Sequence, residues 1–220
     1  MTKIKICGLS RIEDITAVNR ALPDYIGFVF APSRRRVDER TAKMLRAQLD
    51  PRITAVGVFV NQEIEIIAEL YRHGVISIVQ LHGDEDAEYI ERLKEHCNCL
   101  VIKAIGIDSL SFRGFGGEAS ALAGRPPAPP LPGNVDYILF DTLSSQRGGT
   151  GKAFDWSVLR DYNGPPFFLA GGLNIDNISD AIRSLDSFCL DVSSGAEIDG
   201  RKDADKIGQI VRLVRDSQQS

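Results

Sequence analysis

Lys3-Ile4-Lys5-Ile6-Cys7-Gly8-Leu9 is the stretch around which the rest of the chain is organised. Its polar and apolar residues alternate, which predicts a short β-strand with the two isoleucines on one face and the lysines and Cys7 on the other. The strand ends where a glycine follows Cys7. A thiol at the end of a strand is a candidate base or nucleophile, because the thiolate is the reactive form, but a free cysteine is more often a small buried apolar residue.

Eight apolar, β-rich runs lie along the chain, and each is followed by a helical or helix-length segment. Ser10 with Glu13 predicts a capped helix after the first run, and Asn61 predicts a cap after the third. Helices are also expected around Trp156 and over 174–183. The runs lie at 3–7, 25–30, 54–60, 76–81, 99–105, 137–141, 166–170 and 188–192.

This alternation predicts an α/β protein of right-handed βαβ units with a parallel sheet. Apolar runs without strict alternation suit parallel strands covered by helices. Eight units in this length match a single-domain (β/α)8 TIM barrel spanning 1–220, with Cys7 at the mouth where such barrels place their chemistry. A doubly wound open sheet is the alternative. Against it, no G-x-G-x-x-G follows the first run, and polar residues recur at the strand ends.

The repeat weakens between residues 107 and 134. This segment holds glycines, a short Ala-rich helix candidate and the proline-rich run 126–132. A domain linker has similar composition, and such a run is also typical of SH3 ligands. Because the strand–helix pattern resumes afterwards, we favour an interrupted fifth helix with a stiff connection.

Composition excludes several classes of protein. The 220 residues are 43% hydrophobic and 25% charged, with a net charge of −4, which is ordinary globular composition without a nucleic-acid footprint. The four cysteines have neither disulfide nor zinc spacing, so reduced cytosolic thiols are expected. No apolar run approaches a membrane span, and no apolar segment follows the N-terminal lysines. We therefore expect a cytoplasmic protein without membrane or nucleic-acid partners. Since no long apolar helix face lacks a partner, we expect a monomer.

Polar residues at the predicted strand ends converge on one mouth of the barrel. The last two loops, Ala170-Gly171-Gly172 and Ser193-Ser194-Gly195, are rich in glycine and serine, and barrels often bind phosphate with the loops after strands 7 and 8. Backbone N–H groups and hydroxyls in such loops approach phosphate oxygens closely. A Gly-rich loop at 148–152 is a further candidate to close on the same group. The strand-end residues are Cys7, Arg34, Arg35, Arg36, Asn61, Gln80, His82, Asp141, Gly171, Gly172, Asp191, Ser193, Ser194 and Gly195.

The charged groups at this mouth have both chemical and structural interpretations. Asp141 and Asp191 facing a thiol form a possible acid/base set, although such carboxylates also act as structural caps. His82 is the rival base, but a lone histidine after a strand is more often a ligand contact or a hydrogen-bonded structural residue. The Arg34–Arg36 run is either a solvated loop or a guanidinium site for a carboxylate.

Several motifs, in order and essentially from end to end, resemble the phosphoribosylanthranilate isomerase family of tryptophan biosynthesis. Each is weak alone, but the ordered set is specific. The motifs are Lys5-Ile6-Cys7-Gly8, Gln80-Leu81-His82-Gly83-Asp84, Phe140-Asp141-Thr142, Gly148-Gly149-Thr150-Gly151-Lys152, Phe154-Asp155-Trp156, Leu169-Ala170-Gly171-Gly172-Leu173 and Asp191-Val192-Ser193-Ser194-Gly195-Ala196-Glu197.

The resemblance implies a (β/α)8 barrel that needs no metal or organic cofactor. It implies an Amadori rearrangement of N-(5′-phosphoribosyl)anthranilate to 1-(2-carboxyphenylamino)-1-deoxyribulose 5-phosphate. Cys7 is then the general base and Asp141 the general acid. An arginine after the second strand holds the anthranilate carboxylate, and alignment on Ser33 points to Arg35, although the chain has three consecutive arginines where the family usually has Ser-Pro-Arg.

Further contacts with a small phosphorylated substrate are expected from the same mouth. Asp191 is expected to bond ribose hydroxyls, and Gln80 and His82 to contact substrate. Lys5 is expected either to help ionise Cys7 or to form a buried ion pair near the mouth.

Two classes of rival remain. Indole-glycerol-phosphate synthase and the analogous histidine-pathway isomerase are also phosphate-binding barrels, but the first relies on lysines and an N-terminal extension, and the second has an aspartate where this chain has Cys7. A non-catalytic phosphosugar-binding module would be expected to have lost the acid or the base.

Overall fold

The computed structural model describes residues 1–107, 133–142 and 154–217. Eight parallel strands in these ranges close into a barrel in sequential order, β1 to β8, which confirms the predicted (β/α)8 fold. The strands are β1 Lys3–Cys7, β2 Tyr25–Val29, β3 Thr54–Phe59, β4 Ile78–Leu81, β5 Leu100–Ile107, β6 Tyr137–Thr142, β7 Phe167–Leu169 and β8 Cys189–Val192.

Helices follow most of these strands on the outside of the barrel. Within the described residues, none is long and apolar enough to cross a membrane. They are α1 Ile12–Ala21, α2 Glu39–Arg46, α3 Ile64–Arg72, α4 Ala87–His96, α5 Ile178–Ser184 and α6 Ala204–Asp216, with single 3-10 turns at Trp156–Leu159 and Ser194–Ala196. A short antiparallel ribbon, β9 Glu197–Ile198 with β10 Arg201–Lys202, follows β8.

Alternate strand residues build two apolar cores. One set, including Val56, Ile102 and Phe168, fills the inside of the barrel. The other, including Ile4, Val101 and many helix residues, packs between the strands and the helices. A parallel sheet buried on both faces requires this continuous apolar character, and it explains why the runs lack strict alternation.

Two helices start at other residues than predicted, because the side chains expected to cap them make other hydrogen bonds or none at the cap. The first helix begins at Ile12, and Asp14, not Glu13, accepts the N–H groups of Ser10 and Arg11 at 2.9 and 3.1 Å. Asn61 has φ +49° and gives its N–H to Glu85, so the third helix starts later, at Ile64.

Two later helices are shorter than expected. The helix predicted around Trp156 is a single 3-10 turn, Trp156–Leu159. The helix predicted over 174–183 begins at Ile178, because Asn174 and Asn177 form a turn in which the side-chain Oδ1 of Asn177 accepts the backbone N–H of Asn174 at 2.9 Å. The predicted fifth-helix remnant, the proline-rich run 126–132 and the Gly-rich loop 148–152 lie outside the described residues.

Candidate active site

A cavity of about 320 Å³ opens at the C-terminal ends of the strands. This volume is in the range of small-molecule sites. Most of the predicted site residues share its wall. The lining residues are Cys7, Val29, Ala31, Pro32, Ser33, Arg35, Val58, Val60, Gln80, His82, Asp141, Thr142, Ala170, Gly171, Gly172, Leu173, Asp191, Ser193 and Ser194.

Cys7 ends β1 inside this cavity, and its neighbours explain its environment. It pairs in register with Gly27 of β2, where a Cβ would lie only 2.7 Å from the sulfur, so a side chain there would collide with the thiol. Burial raises the pKa of the Cys7 thiol above its ordinary value, and the nearby Lys5 ammonium lowers it by less than burial raises it. In the free protein at neutral pH the group is therefore mainly a thiol.

Lys5 lies beneath Cys7, fully buried inside the barrel. Its Nζ lies 2.7 Å from Asp191 Oδ2 and 2.8 Å from Gln80 Oε1. Burial alone would lower the pKa of Lys5, but the negative charge of Asp191 and the hydrogen bond to it outweigh burial and raise the pKa, so the amine remains an ammonium. Lys5 thus forms the buried ion pair that was one of its two expected roles, and its charge also lowers the pKa of Cys7.

Asp191, near the end of β8, has one carboxylate oxygen in a hydrogen bond and one without a partner among the described residues. Oδ2 holds Lys5, whereas Oδ1 is buried without a hydrogen-bond partner among the described residues. A buried carboxylate oxygen without a donor is costly, and a hydroxyl of a bound molecule would satisfy it.

Asp141 is the second-last residue of β6, three strands away from Cys7 around the barrel. Its Oδ1 accepts the backbone N–H of Thr142 at 2.7 Å, and its Oδ2 lies 3.5 Å from Nε2 of His82. His82 follows β4, and its Nδ1 lies 3.1 Å from Nε2 of Gln80. The thiol and the carboxyl group therefore face one cavity from two sides.

The structure distinguishes among the three consecutive arginines. Arg35 lines the cavity with its side chain 14% exposed, whereas the side chain of Arg34 is 58% exposed and lies outside the cavity wall, and Arg36 is exposed. Gly8 makes room for Arg35: a Cβ at Gly8 would lie 2.4 Å from the Arg35 Cδ, and its φ of +85° also favours glycine. Of the three arginines, Arg35 alone lines the cavity, and it is the residue to which the alignment on Ser33 points.

Glu197 of β9 holds Arg35 in this position, and sequence reasoning did not assign it a role. Its two oxygens accept from Arg35 Nε and NH2 at 2.6 and 3.1 Å, and Arg34 and Lys202 also donate to it. Glu197 thus holds two nitrogens of the Arg35 guanidinium while the side chain lines the cavity. Three cations around one carboxylate leave excess positive charge at this side of the mouth.

The loops after β7 and β8 form the third part of the wall. Gly171 has φ +83°, and a Cβ there would lie 2.3 Å from Thr142 Oγ1, so glycine is required at this turn. Gly172, Ser193 and Ser194 line the cavity beside it. Gly195 differs from the prediction in position: it is absent from the lining residues and packs against the backbone of Leu173, where a Cβ would lie 2.0 Å from the carbonyl oxygen.

One side of the cavity is apolar, which the strand-end analysis missed. Val29 and Ala31 at the end of β2, and Val58 and Val60 at the end of β3, are alternate residues that this spacing could have identified. The residues are Val29, Ala31, Pro32, Val58 and Val60. Among the described residues no group of three or more His, Cys, Asp or Glu side chains is arranged to hold a metal ion.

Replacing Glu197 by glutamine is expected to weaken the fold selectively above about pH 4.3, the ordinary glutamate pKa. Burial would raise the pKa of Glu197, but hydrogen bonds from Arg35 and Lys202 outweigh it and lower it to about 2. A lowered pKa contributes stability above the unfolded-state value that is lost as pH falls towards the folded-state value. Thermal unfolding should be measured from pH 7 to pH 2. Over this range the Tm of the wild type should fall more steeply than the Tm of Glu197→Gln. Parallel Tm curves would contradict the charge interaction.

The chain matches the family described as N-(5′-phosphoribosyl)anthranilate isomerase over residues 4–213. It is 46% identical over 216 residues to the protein of that name from Endomicrobium trichonymphae, covering 98% of this chain and 99% of that one. Among solved structures, phosphoribosyl anthranilate isomerase from Thermotoga maritima aligns with a TM-score of 0.79 and 34% identity, covering 98% of this chain and 100% of that one.

Two further solved structures bear on ligand and assembly. One is phosphoribosyl anthranilate isomerase in complex with reduced 1-(o-carboxyphenylamino)-1-deoxyribulose 5-phosphate, with a TM-score of 0.73, 32% identity and coverage of 98% and 100%. The other contains monomers generated from the dimeric Thermotoga maritima enzyme, with a TM-score of 0.76, 33% identity and the same coverage. Fold, motifs and similarity over nearly the whole length agree, and the chain belongs to the N-(5′-phosphoribosyl)anthranilate isomerase family.

Proposed function

We propose that this protein isomerises N-(5′-phosphoribosyl)anthranilate to 1-(2-carboxyphenylamino)-1-deoxyribulose 5-phosphate, the third step of tryptophan synthesis from chorismate. The observation that carries the proposal is a single cavity with a thiol, a carboxyl group, a guanidinium and two Gly/Ser-rich loops. Each group matches one part of this substrate: the sugar carbon, the ring oxygen, the carboxylate and the phosphate. The family relationship supports the same reaction.

The order of the strands around the barrel supports one orientation of the substrate. The phosphate binds the loops after β7 and β8, through the Ser194 hydroxyl and the backbone N–H groups of Gly171, Gly172 and Ser193. The anthranilate carboxylate binds Arg35 after β2, on the other side of β1, and its aromatic ring lies on the apolar wall of β2 and β3. The ribose then lies between, within reach of both Cys7 and Asp141.

Catalysis follows from these two groups. Asp141 protonates the furanose ring oxygen, and the ring opens to a Schiff base. The iminium acidifies the C2′ proton, the Cys7 thiolate removes it, and the enolamine that forms tautomerises to the ketone. Asp191 accepts a ribose hydroxyl at its unpartnered Oδ1, and Gln80 and His82 complete the wall next to the acid.

Ionisation of the base depends on the bound substrate. Burial raises the pKa of Cys7 in the free protein, and the charge of Lys5 is shared with Asp191. The iminium formed by ring opening adds a positive charge beside the thiol and favours the thiolate when the base is needed.

The test is the loss of anthranilate-type fluorescence when the purified protein meets freshly made phosphoribosylanthranilate. We expect loss faster than spontaneous decay, unchanged by a chelator because no metal takes part in the proposed steps. If the protein does not accelerate the fluorescence loss but still binds reduced 1-(o-carboxyphenylamino)-1-deoxyribulose 5-phosphate, a non-catalytic phosphosugar-binding module would be favoured. Turnover of the histidine-pathway aminoaldose alone would favour the sister isomerase.

Replacing Arg35 by alanine is expected to raise KM for phosphoribosylanthranilate by about 10- to 100-fold while kcat changes little, because a charge-assisted contact worth about 1.5–3 kcal/mol is lost in both ground and transition states. Steady-state kinetics by fluorescence measures both constants. Arg34→Ala is the matched control, since Arg34 lies on the same loop and contacts the same Glu197 but lies outside the cavity. Equal KM effects in the two variants would contradict the assignment to Arg35.

We also propose that residues 1–220 form one domain, and that the protein is cytoplasmic and monomeric. The cytoplasmic assignment rests on the family's biosynthetic role, and the monomer on the absence of a long unpartnered apolar face in the sequence. Sedimentation tests the last point: a species near 24.1 kDa is expected, and one of twice that mass would place it with its dimeric relative.

A further inference from the structure

A chain of polar contacts links the buried lysine under the base to the carboxyl group of the acid. Lys5 Nζ lies 2.8 Å from Oε1 of Gln80, and Nε2 of Gln80 lies 3.1 Å from Nδ1 of His82. On the far side of the imidazole, Nε2 lies 3.5 Å from Oδ2 of Asp141. Lys5 and Gln80 are both buried, with exposed fractions of 0% and 1%, so water competes little with these contacts.

Each contact in this chain determines the direction of the next. An ammonium group has three donors and no acceptor, so it requires the amide oxygen of Gln80. The amide nitrogen, which only donates, then faces His82, and Nδ1 must be the unprotonated nitrogen that accepts. In the neutral ring the hydrogen therefore resides on Nε2, the nitrogen that lies 3.5 Å from Oδ2 of Asp141.

We propose that Lys5 and Gln80 are positioning residues that hold His82 as its Nε2–H tautomer, which makes His82 a fixed hydrogen-bond donor to Asp141 and excludes it as a base. This proposal rests on the proposed function only for the role of Asp141 as acid. The tautomer itself follows from the contacts.

The consequence for Asp141 concerns where its proton goes. Oδ1 accepts from the Thr142 N–H, and Oδ2 faces the His82 N–H. An imidazole nitrogen that already carries hydrogen cannot accept another, so Nε2 of His82 does not compete with the substrate for a proton carried by Asp141. The 3.5 Å separation is long for a hydrogen bond in the empty site, and such catalytic contacts shorten when substrate binds.

Nitrogen NMR of the imidazoles tests this directly, because protonated and unprotonated ring nitrogens differ strongly in chemical shift. The chain has three histidines, and His73→Gln and His96→Gln variants leave the His82 signals identified by elimination. At about pH 8, above the ordinary histidine pKa, we expect an N–H signal for Nε2 of His82 and an unprotonated signal for Nδ1. His96 is the internal contrast: its Nδ1 lies 2.8 Å from the carbonyl oxygen of Arg92, which favours the opposite tautomer.

Gln80→Glu and Gln80→Leu test the positioning role. Glutamate still accepts from Lys5 but can only accept from the imidazole, so the hydrogen is expected to move to Nδ1, with kcat lower by on the order of 10²-fold. Leucine leaves Nδ1 without a donor, and both tautomers should then be populated.

The outcomes decide the proposal separately from the overall function. A wild-type His82 with hydrogen on Nδ1 or on both nitrogens would overturn it, even if the enzyme turns over phosphoribosylanthranilate. An Nε2–H tautomer unchanged in both Gln80 variants would overturn the role of Gln80. If one variant fails to fold, as seen by circular dichroism, the other variant and the wild-type spectrum still decide. A switched tautomer in an enzyme without isomerase activity would support the inference while rejecting the proposed reaction.

Discussion

Replacing Cys7 by alanine is expected to lower kcat by about 10³-fold, within the range that a positioned general base contributes. Cys7 is the thiol that lines the cavity at the end of β1, and the other three cysteines are absent from its wall. Without it, water or a more distant group must remove the C2′ proton. The fluorescence assay gives kcat, with single-turnover measurements separating chemistry from product release.

Two variants sharpen this prediction. Cys7→Ser keeps the shape of the side chain but ionises far less readily than a thiol, so it should lose nearly as much activity as Cys7→Ala. Cys97→Ala removes a buried thiol at the end of α4 and should retain wild-type kcat in the fraction that folds. Binding of the reduced product should change by only a few fold in all three. A Cys7→Ala enzyme with near-normal kcat would show that another group is the base.

Replacing Asp141 by alanine is expected to lower kcat by about 10²- to 10⁴-fold, because ring opening then proceeds without a general acid. The carboxyl group lies near the end of β6, where its Oδ1 accepts the Thr142 N–H and its Oδ2 lies 3.5 Å from Nε2 of His82. Water entering the vacated space is a poorer acid at neutral pH. Loss of fluorescence again measures turnover.

The control for this carboxylate is Asp161→Ala. Asp161 is exposed beyond the 3-10 turn that precedes β7 and does not line the cavity, so kcat should be unchanged. If Asp141→Ala retained more than about a tenth of wild-type kcat, the loss would fall below the usual contribution of a general acid, and proton donation would have to come from elsewhere.

The pattern of strands was readable from sequence because it depends on local composition. All eight apolar runs became barrel strands, since a parallel sheet buried on both faces needs β-branched and apolar residues throughout. The ends of the helices were predicted less accurately. Asn61 was expected to cap a helix but instead lies against Glu85, a residue 24 positions away that a local rule does not see.

The polar part of the site followed from the topology, because carboxyl ends of parallel strands converge in a barrel. Six polar residues that were predicted at the mouth therefore share the cavity: Cys7, Arg35, Gln80, His82, Asp141 and Asp191. Glu197 was not singled out, although it was quoted in a motif. Its importance comes from Arg35, which is 162 residues away in sequence.

Strand positions, the reactive groups at strand ends and family membership could all be predicted from the sequence. Those properties depend on the periodicity of apolar residues and on motifs a few residues long. The folded barrel was needed to show which arginine lines the cavity, that Lys5 pairs with Asp191, and how Gln80 lies between Lys5 and His82. These contacts depend on which charges and hydrogen-bond donors meet in a space closed to water. Barrel closure brings those groups together from distant parts of the chain.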